Sequence, residues 1–375
     1  MSWVERSLDE LGFVSRGKSR HRPRDAAHLY GGPYPFIQTG DVKHAGLYLS
    51  DYTQTYSDTG LAQSKLWPKG TLCITIAANI ADTSILDIEA CFPDSVIGFI
   101  PEPEKADARF IKYLFDAKLK LAYQQFTQGA AQDNLSQGKL LSIKFLVPED
   151  VTEQARIADL AAQYDNLIEN NRRRIQLLEE SALLLYKEWF VQLRFPGHEH
   201  VKIVDGVPEG WEKKPIKDEL TLNYGKALKA DTRVPGAFPV YGSSGIVGSH
   251  NKPLIKGPGI VVGRKGNVGS IFWVNKDYWP IDTVYFVSNE ESSLYLYHAL
   301  QKVAFINTDV AVPGLNRDMA YSREIIIPED NILSLYHDEV KPIQKQIEQL
   351  IEYNIKLAQA RDILLPRLMN GTLAV

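Results

Sequence analysis

The sequence predicts an α+β protein with an internal pseudo-twofold repeat: two β-rich domains, separated by two long helices that pair antiparallel as a coiled coil. Three observations carry this. A helical stretch is written twice, as "NLIENNRRRIQLLEE" from Asn166 and "QLIEYNIKLAQARD" from Gln349; Leu167, Ile168, Glu169 and Asn171 match Leu350, Ile351, Glu352 and Asn354. A second match lies upstream and needs no gap within it, "TQGAAQDNLSQGKLLSIKFLVPE" from Thr127 against "NTDVAVPGLNRDMAYSREIIIPE" from Asn307, both ending in an apolar run and Pro-Glu. The segments before each helix hold short runs rich in β-branched and aromatic residues, "TLCITIAA", "GIVVG", "SIFWV" and "TVYFV", bounded by Gly, Pro or Asn, which is strand composition. A repeat unit of about half the chain sets the organisation before any local element does.

In chain order the expected parts are a β-rich domain over residues 1–150, a helical spacer over 151–195, a second β-rich domain over 196–330 and a second spacer over 331–375. The domains correspond piece by piece. "RGKSR" at Arg16 parallels "YGKAL" at Tyr224, and "YPFIQTG" at Tyr34 parallels "FPVYGSSG" at Phe238. "KGTLCITIAANIADTSILD" from Lys69 parallels "KGPGIVVGRKGNVGSIFWV" from Lys256. Each domain also holds one helix-like stretch, "ARFIKYLFDAKLKLAYQQF" and "SSLYLYHALQKVAF".

The first long helix is expected from about Thr152 to Phe190, with apolar residues at Ile157, Leu160, Tyr164, Leu167, Leu178 and Leu185. The second is expected from about Leu335 to Leu365, with Val340, Ile343, Ile347, Leu350, Leu357 and Leu364. Steps of three and four mark a coiled-coil seam. Pro342 is expected in the early turns of the second helix, and Pro366 at the end of its regular part. The first helix leads from one domain to the next, so a second helix that pairs with it must run back. Asn171 and Asn354 then come level; such residues either pair across the seam and set its register or point to solvent.

Composition excludes several classes. The chain has 375 residues, a net charge of −4 and two cysteines, Cys73 and Cys91, so neither a disulfide scaffold nor a zinc finger is expected. "MSWVERSLDELGF" is no signal peptide, and no apolar run approaches the roughly 20 residues of a membrane span; a cytoplasmic protein is expected. The histidines show no metal-ligand spacing, and "PDSVIGF" at Pro93 has no Glu-x-Lys nearby to make a metal nuclease. "GRKGNVGS" at Gly263 lacks the Lys-Ser/Thr ending of a phosphate loop and is flanked by strands. No methylase signature of the Asn/Asp-Pro-Pro-aromatic type occurs.

The binding candidates are loops. "SRGKSRHRPRD" places Arg16, Lys18, Arg20, Arg22 and Arg24 close together; on an extended strand their alternation would put several on one side. Such cations suit DNA, because they neutralise phosphates and arginine grips guanine O6 and N7 together. A solvated basic loop is the other reading. Gln38 lies in the "YPFIQTG" stretch, and the second domain offers Lys226, Lys229, Tyr241, Arg264, Lys265 and Asn267.

With these residues assembled, the chain resembles the specificity subunit of type I restriction-modification systems over essentially its whole length. The motifs that carry the resemblance are "YPFIQTGDV", "VYGSSGIVGSHN", "GRKGNVGSIF" with "WPIDTVYFV", "AVPGLNRD", "LLLYKEWFVQLRFPG" and "LLPRLMNG". The resemblance implies that each β-rich domain is a target-recognition domain reading one half of a bipartite site in double-stranded DNA, while the helices set the unread gap. It implies a non-catalytic chain that binds no cofactor. Its implied partners are two methylation subunits that use S-adenosylmethionine, and motor-nuclease subunits that use ATP and Mg2+. The alternative is a coiled-coil adaptor that pairs two β-rich binding domains without DNA.

Overall fold

In a computed structural model the described residues are 2–77, 80–120, 135–305 and 314–373. They form two compact units, one of Met1–Arg173 with Ile351–Val375 and one of Arg174–Leu350.

Unit 1 begins with β1 (Trp3–Arg6), β2 (Gly12–Arg16), β3 (Tyr30–Phe36), β4 (Tyr48–Leu49), β5 (Gln54–Tyr56) and β6 (Leu66–Trp67). It continues with β7 (Leu72–Thr75), β8 (Thr83–Leu86), β9 (Ala90–Cys91), β10 (Val96–Pro101) and β11 (Phe145–Pro148). One sheet has the order β2-β10-β7-β8-β4, a second β5-β3-β9-β6, and β1 pairs with β11. β7 and β8 are buried along their whole length, which explains why they read as continuous apolar or small runs without alternation.

Unit 2 contains β12 (Ile203–Val204), β13 (Val207–Pro208), β14 (Glu212–Pro215), β15 (Asn223–Tyr224), β16 (Phe238–Gly242) and β17 (Gly245–His250). β18 (Gly259–Gly263), β19 (Ile271–Val274), β20 (Trp279–Pro280), β21 (Val284–Val287) and β22 (Glu324–Ile327) follow. Its sheets are β15-β21-β18-β19 and β17-β16-β20, with β14 paired to β22. The repeat is therefore one of topology as well as sequence. In both main sheets the first strand lies beside the last, followed by an antiparallel pair of consecutive strands, β7 and β8 in one and β18 and β19 in the other; unit 1 adds β4 at the edge. Each second sheet has a parallel contact at the corresponding place, Phe36 with Cys91 and Val240 with Trp279.

The first long helix spans Val151–Tyr186 and the second Asp330–Leu368. The Asp150 carboxylate accepts the Thr152 amide at 2.8 Å at the first helix's start, the usual satisfaction of an orphan helical donor. In unit 1, Asn171 Nδ2 donates to Asn354 Oδ1 at 2.9 Å, and Arg361 pairs with Asp165. Going back along the first helix thus goes forward along the second, the antiparallel sense. In unit 2, Trp189 and Tyr186 pack on Tyr336, with ring centroids 5.9 and 6.4 Å apart. Ala182, Ile332 and Val340 share that core.

The helices differ from expectation in three places. Leu167 is 52% exposed and Ile168 beside it is buried; two adjacent apolar residues occur there, and the partner helix accommodates one. The second helix begins earlier, at Asp330, so Pro342 lies well inside it, and Pro366 sits within the helix, which runs on to Leu368. Both prolines are exposed, so the carbonyls they leave unpaired face water, where the break is tolerated.

Candidate nucleic-acid interface

The two domains share Gly-Lys after β2 and β15, and the fold gives a backbone reason. The Gly17 amide donates to Val96 O at 2.9 Å and Lys18 N to Phe92 O at 3.0 Å. In unit 2, Gly225 N donates to Val284 O at 3.2 Å and Lys226 N to Pro280 O at 2.9 Å. A Cβ on Gly17 would stand 2.2 Å from Phe92 O, and one on Gly225 2.0 Å from Ile281 O. No side chain fits there, so close backbone approach requires glycine in both copies. The common dipeptide is a joint; the residues around it are free to differ.

In unit 1 the basic segment does not continue as a strand. β2 ends at Arg16, and the following loop is held by residues from a distant part of the chain. Gln63 Oε1 accepts the amides of Arg20 and His21 at 2.6 and 3.0 Å, and Ser64 Oγ donates to Lys18 O at 2.7 Å. The five cations then divide. Arg22 turns its guanidinium back onto the carbonyls of Ser19 and His21, both at 2.8 Å. Arg24 makes two bonds to the Asp94 carboxylate, at 2.9 and 3.0 Å. All five are exposed, but the side chains of Arg16, Lys18 and Arg20 have no such bonds among the described residues. Lys65, absent from the sequence-based candidates, joins them. Its Nζ lies 3.7 Å from the Trp67 ring centroid and 4.5 Å from that of Phe13. Burial, and then the charge of Lys18, hold its pKa below the usual lysine value. Gln38 donates through its side chain to Gln54 at 2.7 Å and through its backbone to Asp41.

In unit 2 three connections converge on the end of β15. Arg264 N and Lys265 N donate to Thr283 O at 2.9 and 3.0 Å, and Asn267 N meets Ser243 Oγ at 3.4 Å. Lys226, Lys265 and Asn267 are exposed there. Tyr241 differs from these. It is half-buried, its ring packs 5.9 Å from Tyr278 and 6.2 Å from Phe272, and burial pushes its phenol up, the behaviour of a packing residue. Lys229 is exposed at the start of a short 3-10 turn, Ala230–Thr232. Two residues outside the sequence-based set belong to this end: Tyr224 and Arg317, whose guanidinium carbon lies 5.1 Å from the Tyr224 ring centroid. The available signal was positional, since Tyr224 occupies the place of Arg16 in the repeat.

The described residues contain no group of three or more His, Cys, Asp or Glu able to hold a metal. None of their helices is long and apolar enough to cross a membrane. A duplicated scaffold carrying two unlike basic loop faces defines a two-site recognition protein. Residues 1–180 and 208–362 match the type I restriction modification DNA specificity domain. The type I restriction enzyme MjaIX specificity subunit of Methanocaldococcus jannaschii is 23% identical over 409 aligned residues, which take in 100% of this chain and 94% of the relative. Among solved structures, the type I restriction-modification S subunit from M. genitalium superposes with a TM-score of 0.54 at 17% identity, covering 98% of this chain and 96% of that one. The chain belongs to the type I restriction-modification DNA specificity family. It is a non-catalytic DNA-recognition subunit, with DNA and the other subunits of such a system as its partners.

Proposed function

We propose that each β-rich domain reads one half of a bipartite site in double-stranded DNA, with residues 1–150 of unit 1 as the first target-recognition domain and residues 196–330 of unit 2 as the second. The paired helices set the unread gap and dock two methylation subunits. The observation that carries this is the duplication itself: one topology and one glycine joint, surrounded by different side chains. A repeated backbone with divergent loops suits two readers of two different half-sites. On this reading S-adenosylmethionine, ATP and Mg2+ belong to partner methylation and motor-nuclease subunits, and the compartment is the cytoplasm. Exchanging residues 207–329 for another recognition domain should change one half of the methylated motif and leave the other intact, read by methylome sequencing. A change in both halves would overturn the two-reader model. Gel shift of the complex on duplex DNA separates it from an adaptor without DNA.

Two further outcomes follow. The pseudo-twofold repeat offers two equivalent docking surfaces, so native mass of the purified complex should give two methylation subunits per chain. A fully active one-to-one complex would count against that symmetry. In the basic loop, Arg20→Ala should weaken DNA binding by the assembled complex more than Arg22→Ala, whose guanidinium is engaged with Ser19 and His21 carbonyls. If Arg20 grips a base, the loss should be about 1–3 kcal/mol with relaxed choice at one position; if it touches phosphate, binding should weaken evenly and the salt slope drop by about one. Equal binding by Arg20→Ala and the parent would make the loop solvated surface.

A further inference from the structure

Tyr224 stands at the end of β15 with 51% of its surface exposed, and two guanidinium groups face its ring. Arg264 lies 4.9 Å from the centroid and Arg317 5.1 Å. Each is also close to a second ring, Arg264 at 5.7 Å from Tyr285 and Arg317 at 5.9 Å from Tyr321. Arg264 gives one donor to the Asp282 carbonyl at 3.0 Å. The Nε of Arg317 is buried without a hydrogen-bond partner among the described residues.

This is an unusual concentration of like charge. Neither arginine forms a salt bridge with a carboxylate among the described residues. Ring faces attract guanidinium groups and hold them in place, but they do not neutralise two cations that repel each other. An anion between or beside them would. The arrangement is also particular to unit 2. In the matched segments of the repeat, Arg16 takes the place of Tyr224, and Gln137 takes the place of Arg317.

We propose that Tyr224, Arg264 and Arg317 form a clamp for a backbone phosphate of DNA, anchoring the second reader without regard to base sequence. The inference rests on the reading that unit 2 contacts DNA. A phosphate fits better than a base edge. Arg264 has one arm committed to Asp282, and Arg317 is half-buried with its Nε turned inward. Base readout in a groove needs a guanidinium free to extend with both arms, whereas a phosphate on the outside of the duplex comes to a short, fixed cation.

The test uses the complex assembled with its methylation subunits and a duplex carrying its site, with affinity measured across a series of salt concentrations. Arg317→Gln and Arg264→Gln should each weaken binding about tenfold or more. The factor should be the same on the cognate duplex and on one with a scrambled second half-site. The slope of log affinity against log salt should fall by about one. Arg317→Lys keeps the charge and should keep the parent slope, which a merely structural role for the stacked guanidinium would not produce. Tyr224→Phe should bind as the parent does. If Arg317→Gln fails to fold, the slope of Arg264→Gln decides. Parental affinity and slope in a folded Arg317→Gln, loss of slope in Arg317→Lys, or a loss confined to one base of the second half-site would each overturn the clamp. The exchange of residues 207–329 separates the two failures: if it changes one half-site while Arg317→Gln binds normally, only the clamp is wrong, and if the motif does not change, the two-reader reading fails.

Discussion

Four residues inserted into each long helix, after Asn171 and before Asn354, should lengthen the unread gap of the methylated motif by about two base pairs with both half-sites unchanged. Placed there, the insertions leave the Asn171–Asn354 bond and the Asp165–Arg361 pair together in unit 1. Four helical residues add about 6 Å, and two base pairs of DNA rise about 6.8 Å. The rotations agree less well: four residues over-rotate the helix by about 40°, against about 70° for two base pairs. Four residues also interrupt the heptad pattern as a stutter. Weakened binding should therefore accompany the longer gap. Matched insertions matter, because an insertion in one helix alone slides every seam contact beyond it. An active double insertion that still methylates the original spacing would leave the helices as docking surface and nothing more.

Arg361→Met should destabilise unit 1 by about 3–5 kcal/mol, the usual cost of leaving a buried charge without its partner. Asp165 has 8% of its side chain exposed and Arg361 24%. Asp165 also accepts from Tyr113 Oη at 2.7 Å. Burial first, and the Asp165 carboxylate second, push the Tyr113 phenol up, so it stays a donor at neutral pH. One carboxylate thus ties the first long helix to the second and to the helix Ala108–Phe115, and Met at 361 would leave it to Tyr113 alone. Urea unfolding checks the figure. Lys69→Met supplies the contrast: its pair with Asp87 is exposed on both sides, at 67% and 46%, and should cost no more than about 1 kcal/mol. Similar losses in the two variants would mean that Asp165 is solvated in solution. The triple variant Asp165→Leu, Arg361→Met and Tyr113→Phe, which leaves no hydroxyl without its acceptor, should recover much of the loss, since apolar residues of similar volume often replace a buried ion pair at little cost.

The heptad steps placed both long helices, because the seam is a property of spacing along a chain. They did not choose between Leu167 and Ile168, because that choice belongs to the partner helix. The composition of "SRGKSRHRPRD" marked a basic loop. That Arg24 is bonded to Asp94 and Arg22 to nearby carbonyls, while the side chains of Arg16, Lys18 and Arg20 are not so engaged among the described residues, depends on how the loop turns after Gly17. Lys65 and Arg317 escaped notice for the same reason. Nothing in their immediate neighbours shows that one lies over Phe13 and Trp67 and the other over Tyr224.

By itself, then, the sequence determined the duplicated order of strands and helices and the antiparallel sense of the pairing, which follow from periodicity and from comparing one stretch of chain with another; the family rests on the likeness of its motifs to those of other proteins. Only the tertiary structure decided which cations are held by other groups, why both copies need glycine after β2 and β15, and how two arginines come to lie against Tyr224. Those outcomes are settled by contacts between residues far apart in the chain, where a single carbonyl oxygen or carboxylate determines whether a side chain is held inside or left to meet a ligand.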